Sequence, residues 1–402
     1  MALSFMRFKL GPGILITAAF IGPGTITTAS LAGANFGFTL LWAVIFSALA
    51  TYVLQEMSGR LGLATGQGLP EAIKCSITTP MMQKLALILV VAAIGIGNAA
   101  YEAGNIIGAS VGLNAIIDFG TTTWSLIVAA IAGALLWFGH YKVLEKAFTV
   151  LVLLMSLVFI TTLVLSKPDL GLMARGIVPS MPSGSVLTVL ALVGTTLVPY
   201  NLFLHASMVH EKWQTTERGQ AIQESRQDTA VSISLGALVT LAIVGTSASA
   251  FFNTGVEINV ANISQQLQPV LGDCARYFFA LGIFAAGITS AIAAPLAASY
   301  AVCGAMGWST DLKHTKFRLV WLIVLGCGAL FSTLGIKPMV AILFAQAANG
   351  LLLPFVAIFL LIAMNNQTLL GKFKNTKMNN LFGAFFVIAV STLGLYKLAG
   401  LF

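Results

Sequence analysis

Ile21-Gly22-Pro23-Gly24-Thr25 interrupts the first apolar run of the chain, and Val198-Pro199-Tyr200-Asn201 interrupts the sixth. Each places a proline inside a stretch otherwise long and apolar enough for a membrane helix. Proline has no N–H to donate and its ring clashes with the preceding turn, so an interior proline unwinds or kinks a helix. In hydrocarbon the freed backbone groups must find partners, and such breaks persist only where they are buried in protein or line a cavity. A break is therefore a candidate binding site. These two lie at corresponding places in two blocks of five apolar runs. An odd number of crossings inverts the second block relative to the first, the pattern of inverted-repeat transporters whose discontinuous helices meet near the bilayer midplane.

Working outward from the breaks, we expect eleven spans, each close to or above the roughly 20 residues that cross a bilayer. They fall at about 11–33, 38–60, 82–112, 122–139, 143–166, 185–210, 228–252, 268–305, 317–336, 339–365 and 381–399. The longer ones imply tilt or extension beyond the membrane. The chain then reads as one transmembrane domain, 1–402, with a first repeat at about 10–166, a second at about 185–365 and an extra helix at about 381–399. Of the 21 Lys and Arg residues, all but Lys167, Arg175, Arg276, Lys337 and Lys397 fall on one side of these spans. Positive loops face the cytoplasm, so the N-terminus is expected there and the C-terminus outside, in the inner membrane if the host is bacterial. Arg7, Lys9 and Ala32-Gly33-Ala34 mimic a cleavable leader, but Gly22-Pro23-Gly24 breaks the apolar stretch between them.

Composition agrees. Hydrophobic residues make up 58% of the 402 and charged residues 8%, with a mean hydropathy of +0.93, whereas a soluble domain carries about 25% charged residues. Membrane lipid is the expected surrounding partner. The net charge of +8 is scattered singly and forms no basic stripe, which excludes a nucleic-acid surface. Cys75, Cys274, Cys303 and Cys327 have no C-x-x-C spacing and no zinc-ligand companions. Nothing marks a nucleophile, and there is no G-x-x-x-x-G-K-[ST] run to use ATP. The sequence thus points away from an enzyme, and the paired breaks point away from a channel.

Further residues join the breaks into a family pattern. They are Leu10-Gly11-Pro12-Gly13, Ile21-Gly22-Pro23-Gly24-Thr25, Leu31-Ala32-Gly33-Ala34-Asn35-Phe36-Gly37 and Leu41-Trp42, then Leu54-Gln55, Arg60-Leu61-Gly62 and Thr65-Gly66 in the second run. Glu102 follows in the third run, Pro199, Asn201 and Leu204-His205 in the sixth, Ala285-Ala286-Gly287 in the eighth, and Gln346 with Leu353-Pro354-Phe355 in the tenth. Together they resemble the Nramp family of proton-coupled metal-ion transporters along nearly the whole chain. The resemblance implies an all-α integral membrane protein with the leucine-transporter-like fold, a 5+5 inverted repeat with helices 1 and 6 broken and one peripheral helix, 11 transmembrane helices in all. It also implies secondary active transport by alternating access, a divalent metal substrate, and no cofactor beyond a proton as coupling ion.

The departures from the family bear on the substrate. Where the family reads Asp-Pro-Gly-Asn at the first break, this chain has Gly22 and Thr25. Where the family reads Met-Pro-His-Asn at the second, it has Val198 and Tyr200. The ligands that remain by resemblance are the backbone carbonyls of Ala19 and Thr195, the Thr25 hydroxyl and Gln346, with Thr25 and Gln346 as the side-chain metal ligands. Glu102 and His205 match family positions associated with proton movement, and the Asp one turn before that Glu is here Ala99.

Two substrates stay open at the pocket that the resemblance implies, formed by Ala19, Gly22, Gly24, Thr25, Thr195, Val198, Tyr200, Asn201 and Gln346. Without carboxylate, imidazole or thioether the set suits a hard, partly hydrated, magnesium-like ion more than manganese. Alternatively, the bare amides at Gly22-Pro23-Gly24 suit a small neutral, zwitterionic or anionic solute at the positive end of a half-helix. Glu102 and His205 are intramembrane ionisable residues, functional candidates by default, although a neutral His205 bonded to a carbonyl is an equal reading. Glu56 and Arg60, four apart at the end of the second span, form a candidate gate or structural pair. Asn98, Tyr101, Asn105, Thr289, Ser290 and Asn349 read as polar glue between helices.

Overall fold

The computed structural model describes residues 21–77, 79–138, 141–259 and 262–399. Ala19, the Leu10–Gly13 motif and the N-terminal half of the first run lie outside the described residues. Among those described, the secondary structure is helical with no strand.

The first run contributes α1 (Pro23–Phe36), which starts where the sequence places the break. The next four runs give α2 (Leu41–Thr65), α4 (Pro80–Ile116), α5 (Thr121–Phe138) and α6 (Tyr141–Leu165), with the short α3 (Leu69–Ser76) between α2 and α4. After the short α7 (Leu170–Arg175), the sixth run divides into α8 (Val186–Thr196) and α9 (Pro199–Lys212). The second block continues through α10 (Arg218–Phe251), α11 (Ala275–Met306), α12 (Thr315–Ser332) and α13 (Pro338–Met364), and α14 (Lys377–Ala399) is the extra helix. Among the described residues nine helices are long and apolar enough to cross a membrane. They correspond to the second, third, fourth and sixth to eleventh expected spans, while Val152–Leu165 is a shorter apolar stretch in the fifth. Helix ends follow local chemistry. Proline sits in the first turn of α1, α3, α4, α9 and α13, where its missing N–H is no loss, and left-handed Gly66 and Gly307 close α2 and α11.

The helix α4 is the central post. It packs along α11, α12 and α13, while α1 lies against α10 and α8 against α13. With no hydrophobic drive between helices in lipid, close packing relies on small residues that let backbones approach. Gly194 of α8 meets the backbone carbonyl of Gln346, Gly350 of α13 meets the backbone of Leu190, and Gly108 of α4 receives the Pro23 ring. These contacts pin both breaks against α4 and α13. Large apolar side chains such as Ile88, Leu157, Phe344 and Ile388 remain on the outer surface, which is the face expected toward lipid.

Candidate functional site

Gly22 is extended, at φ −95° and ψ −175°, and α1 begins with Pro23 and no side-chain cap. In the sixth run Leu197 (φ −101°, ψ 70°) and Val198 (φ −80°, ψ 123°) leave the helix, and Pro199 restarts it. Because Pro199 has no N–H, it cannot close the helical bond to the Thr195 carbonyl. That carbonyl belongs to the negative C-terminal end of α8, a natural partner for positive charge.

The breaks are joined side chain to side chain: Thr25 Oγ1 and Thr195 Oγ1 lie 2.8 Å apart. Gln346 of α13 faces them, with its amide against the Gly24 backbone so closely that a β-carbon there would collide with it. Both polar atoms of the Gln346 amide, and both of Asn201, are buried without a hydrogen-bond partner among the described residues. Buried polar groups are nearly always paired, so such atoms call for an explanation, and a ligand supplies one. The sequence-expected residues Gly22, Gly24, Thr25, Thr195, Val198, Asn201 and Gln346 therefore gather at the two breaks, and Ala19 falls outside the described residues. Among the described residues no group of three His, Cys, Asp or Glu side chains stands ready to hold a metal. The donors at the breaks are neutral oxygens.

Tyr200 takes up the first turn of α9 and packs its ring edge-on against Tyr101 of α4, with ring centroids 5.6 Å apart. Glu102, fully buried, lies beside them on α4 and accepts from Asn105 Nδ2 at 3.3 Å. His205 is in a different setting, close to Gly59 of α2 and with Nε2 3.3 Å from Thr229 Oγ1 of α10. Among the described residues no hydrogen bond joins Glu102 to His205.

At one end of the bundle Glu56 and Arg60 make a two-point ion pair at 3.0 and 3.1 Å. Arg60 also donates to the Phe373 carbonyl at 2.7 Å and to Asn375 Oδ1 at 2.8 Å, and Arg226 of α10 meets Glu56 at 2.6 Å. At the opposite end Gln266, in the segment between α10 and α11, donates to Ser30 Oγ and to the Ile263 carbonyl, both at 2.9 Å. Its Oε1 is 3.3 Å from Thr246 Oγ1, and Ser247 donates to the Ser30 carbonyl at 2.6 Å. The four-residue spacing of Glu56 and Arg60 marks that pair in the sequence, whereas Arg226, Asn375 and Gln266 carry no such signal, and Tyr101 reads there only as polar glue.

Two facing breaks in a helical membrane bundle, with bare polar groups between them and clamps at both ends, mark the class: a membrane transporter of the leucine-transporter-like fold. The chain belongs to the Nramp family: the model of the family described as natural resistance-associated macrophage protein-like matches residues 13–400. A curated relative is the divalent metal cation transporter MntH of Staphylococcus aureus, 26% identical over 421 residues, covering 99% of this chain and 92% of the relative. Among solved structures, a manganese transporter of Eremococcus coleocola superposes with a TM-score of 0.75 at 22% identity, covering 99% of this chain and 88% of that one. MhsT in complex with L-phenylalanine superposes at 0.59 with 12% identity, covering 97% and 98% of the two chains, and shares the fold alone.

Proposed function

We propose that this protein is a secondary active transporter that carries a divalent metal cation by alternating access, and that its cation is hard and partly hydrated, magnesium-like more than manganese-like. The divalent cation is supported by membership of the family and by the relative named for divalent metal transport. The preference for a hard ion is carried by one observation: the donors at the breaks, Thr25, Thr195, Asn201 and Gln346, are neutral oxygen ligands, with Val198 and Tyr200 where a thioether and an imidazole would favour softer ions. Magnesium gives up its waters reluctantly and tolerates a site that replaces only some of them. The cation would meet Gln346, the Thr25 hydroxyl and the Thr195 carbonyl from one side and keep water on the other. We extend the same proposal to topology, with the N-terminus cytoplasmic and the C-terminus outside the plasma membrane, and to coupling, with a downhill proton carried through Glu102 and His205.

One observation favours a second reading. The amides at the start of α1 carry no side-chain cap and no acidic residue in the first turn, so a small solute with a carboxylate fits them as well. Isothermal titration calorimetry of the purified protein with manganese, magnesium and calcium separates the two, run beside a thermal-shift panel of amino acids and small carboxylates. Saturable magnesium binding that disappears in Gln346→Ala and weakens in Thr25→Ala supports the cation. No metal heat, with stabilisation by an organic solute that Gly22→Asp abolishes, would replace it with the solute.

A further inference from the structure

Gly24-Thr25 at the first break and Gly194-Thr195 at the second are the same dipeptide, and both copies pack on a common partner. Gly24 lies against the side-chain amide of Gln346, and Gly194 lies against the Gln346 backbone carbonyl and the Gly350 backbone nitrogen. The two threonines are fully buried and face each other, Oγ1 to Oγ1 at 2.8 Å. At this level α8 rests on α13 backbone to backbone, α1 rests on α13 through a side chain, and the Thr25–Thr195 bond spans the gap between α1 and α8.

Thr195 departs from the habit of its neighbours. A threonine inside a helix commonly returns its hydroxyl to the carbonyl four residues back, as Thr196 does to Leu192 at 3.1 Å and Thr240 does to Gly236 at 2.9 Å. The Thr195 hydroxyl turns across the gap between the repeats, and its bond among the described residues is the one to Thr25. Its carbonyl stands at the end of α8, where Pro199 has no N–H to reach it. One residue therefore offers the break both a ligand and a strut.

Among hard ions the type of donor no longer discriminates. Neutral oxygens serve magnesium and calcium alike, so the size and stiffness of the cavity and the number of its ligands must separate the two. Magnesium holds oxygens at about 2.0–2.1 Å and keeps several waters, whereas calcium gathers about six to eight oxygens at about 2.3–2.6 Å in a flexible shell. A site with few protein oxygens and walls that cannot part favours the smaller ion.

We propose that the Thr195 hydroxyl is the size filter of the site: by holding Thr25 it keeps the two breaks at a separation that admits magnesium and excludes calcium. The filter rests on the divalent-cation reading and adds to it a discrimination within the hard ions. Thr195 is then a specificity-determining residue through its side chain, apart from what its carbonyl offers the ion.

The test is calorimetry of the full-length protein in detergent, with magnesium chloride and calcium chloride titrated separately and read as the ratio of the two dissociation constants. The wild type is expected to bind magnesium more tightly than calcium. Thr195→Val keeps the carbonyl and the shape of the side chain, and is expected to lower that preference about tenfold, while Thr195→Ser retains it. A merely structural role would weaken both ions together. That outcome, like an unchanged ratio in Thr195→Val, overturns the filter and leaves the cation reading standing. A wild type that binds calcium as tightly as magnesium also overturns the filter, and no heat from either ion removes the cation reading and the filter with it. Should Thr195→Val fail to fold, Thr195→Ala carries the same ratio test.

Discussion

The ends of this molecule and its middle treat buried polar groups in opposite ways. At one end Arg60 shares its guanidinium among a carboxylate, a backbone carbonyl and an amide, and at the other Gln266 uses both amide atoms to tie α1 to α10. In the middle Gln346 and Asn201 are as deeply buried, yet their amides are left without partners among the described residues. A satisfied buried network rigidifies and specifies a fold, and an unsatisfied one is unstable unless something else completes it. On the proposed function, the difference separates groups that hold the bundle together from groups kept for a passing ion.

That contrast can be broken first at Arg60, which is almost fully buried. Removing one partner of a buried pair strands the other and costs about 3–5 kcal/mol, so Arg60→Ala is expected to lower the unfolding midpoint severely. Arg226, whose side chain is 47% exposed in its contact with the same carboxylate, should cost about 0–1 kcal/mol when truncated. Equal effects in a thermal-unfolding comparison of the two variants would mean that the clasp is not organised around Arg60.

The glycines give a second, smaller contrast. A β-carbon on Gly194 runs into the backbone carbonyl of Gln346, while one on Gly24 meets only the tip of the Gln346 side chain. Backbone yields poorly and overpacking costs about 1–3 kcal/mol, so Gly194→Ala should lose stability. Gly24→Ala should unfold nearly like the wild type and bind metal worse, because the amide that moves aside is the proposed ligand. Calorimetry and unfolding on the same two samples check both halves.

The smallest effect on stability belongs to the middle. Gln266→Ala leaves Ser30 and Thr246 short of partners and is expected to destabilise by about 1–3 kcal/mol with metal affinity retained. Gln346→Ala breaks no hydrogen bond among the described residues, so its unfolding midpoint should stay close to wild type while binding is lost. The reverse pattern would erase the distinction between clamp and site.

Local chemistry made much of this legible in the sequence. Pro23 and Pro199 mark their breaks because the loss of an N–H is a local fact, and the apolar runs mark the spans because lipid allows little else. Glu56 and Arg60 could be paired because four residues bring them to one helix face. Gln266 could not be found that way. Its partner Ser30 is 236 residues away, and its own segment reads as a short polar loop. Arg226 and Asn375 are hidden for the same reason, since Arg226 lies 170 residues from Glu56 and Asn375 lies 315 from Arg60. Tyr200 stands in the first turn of α9, next to Pro199, but its contact with Tyr101 depends on how α4 and α9 pack, and no spacing along the chain encodes that.

The central claim is that neutral oxygens between the two breaks carry a hard divalent ion. Uptake into proteoliposomes loaded with a magnesium-sensitive or a manganese-sensitive dye tests it most directly, with the wild type compared against Gln346→Ala. Saturable magnesium uptake is expected in the wild type, with weaker manganese uptake, and neither above empty liposomes in Gln346→Ala. Manganese uptake exceeding that of magnesium, or magnesium uptake unaffected by the substitution, would contradict it.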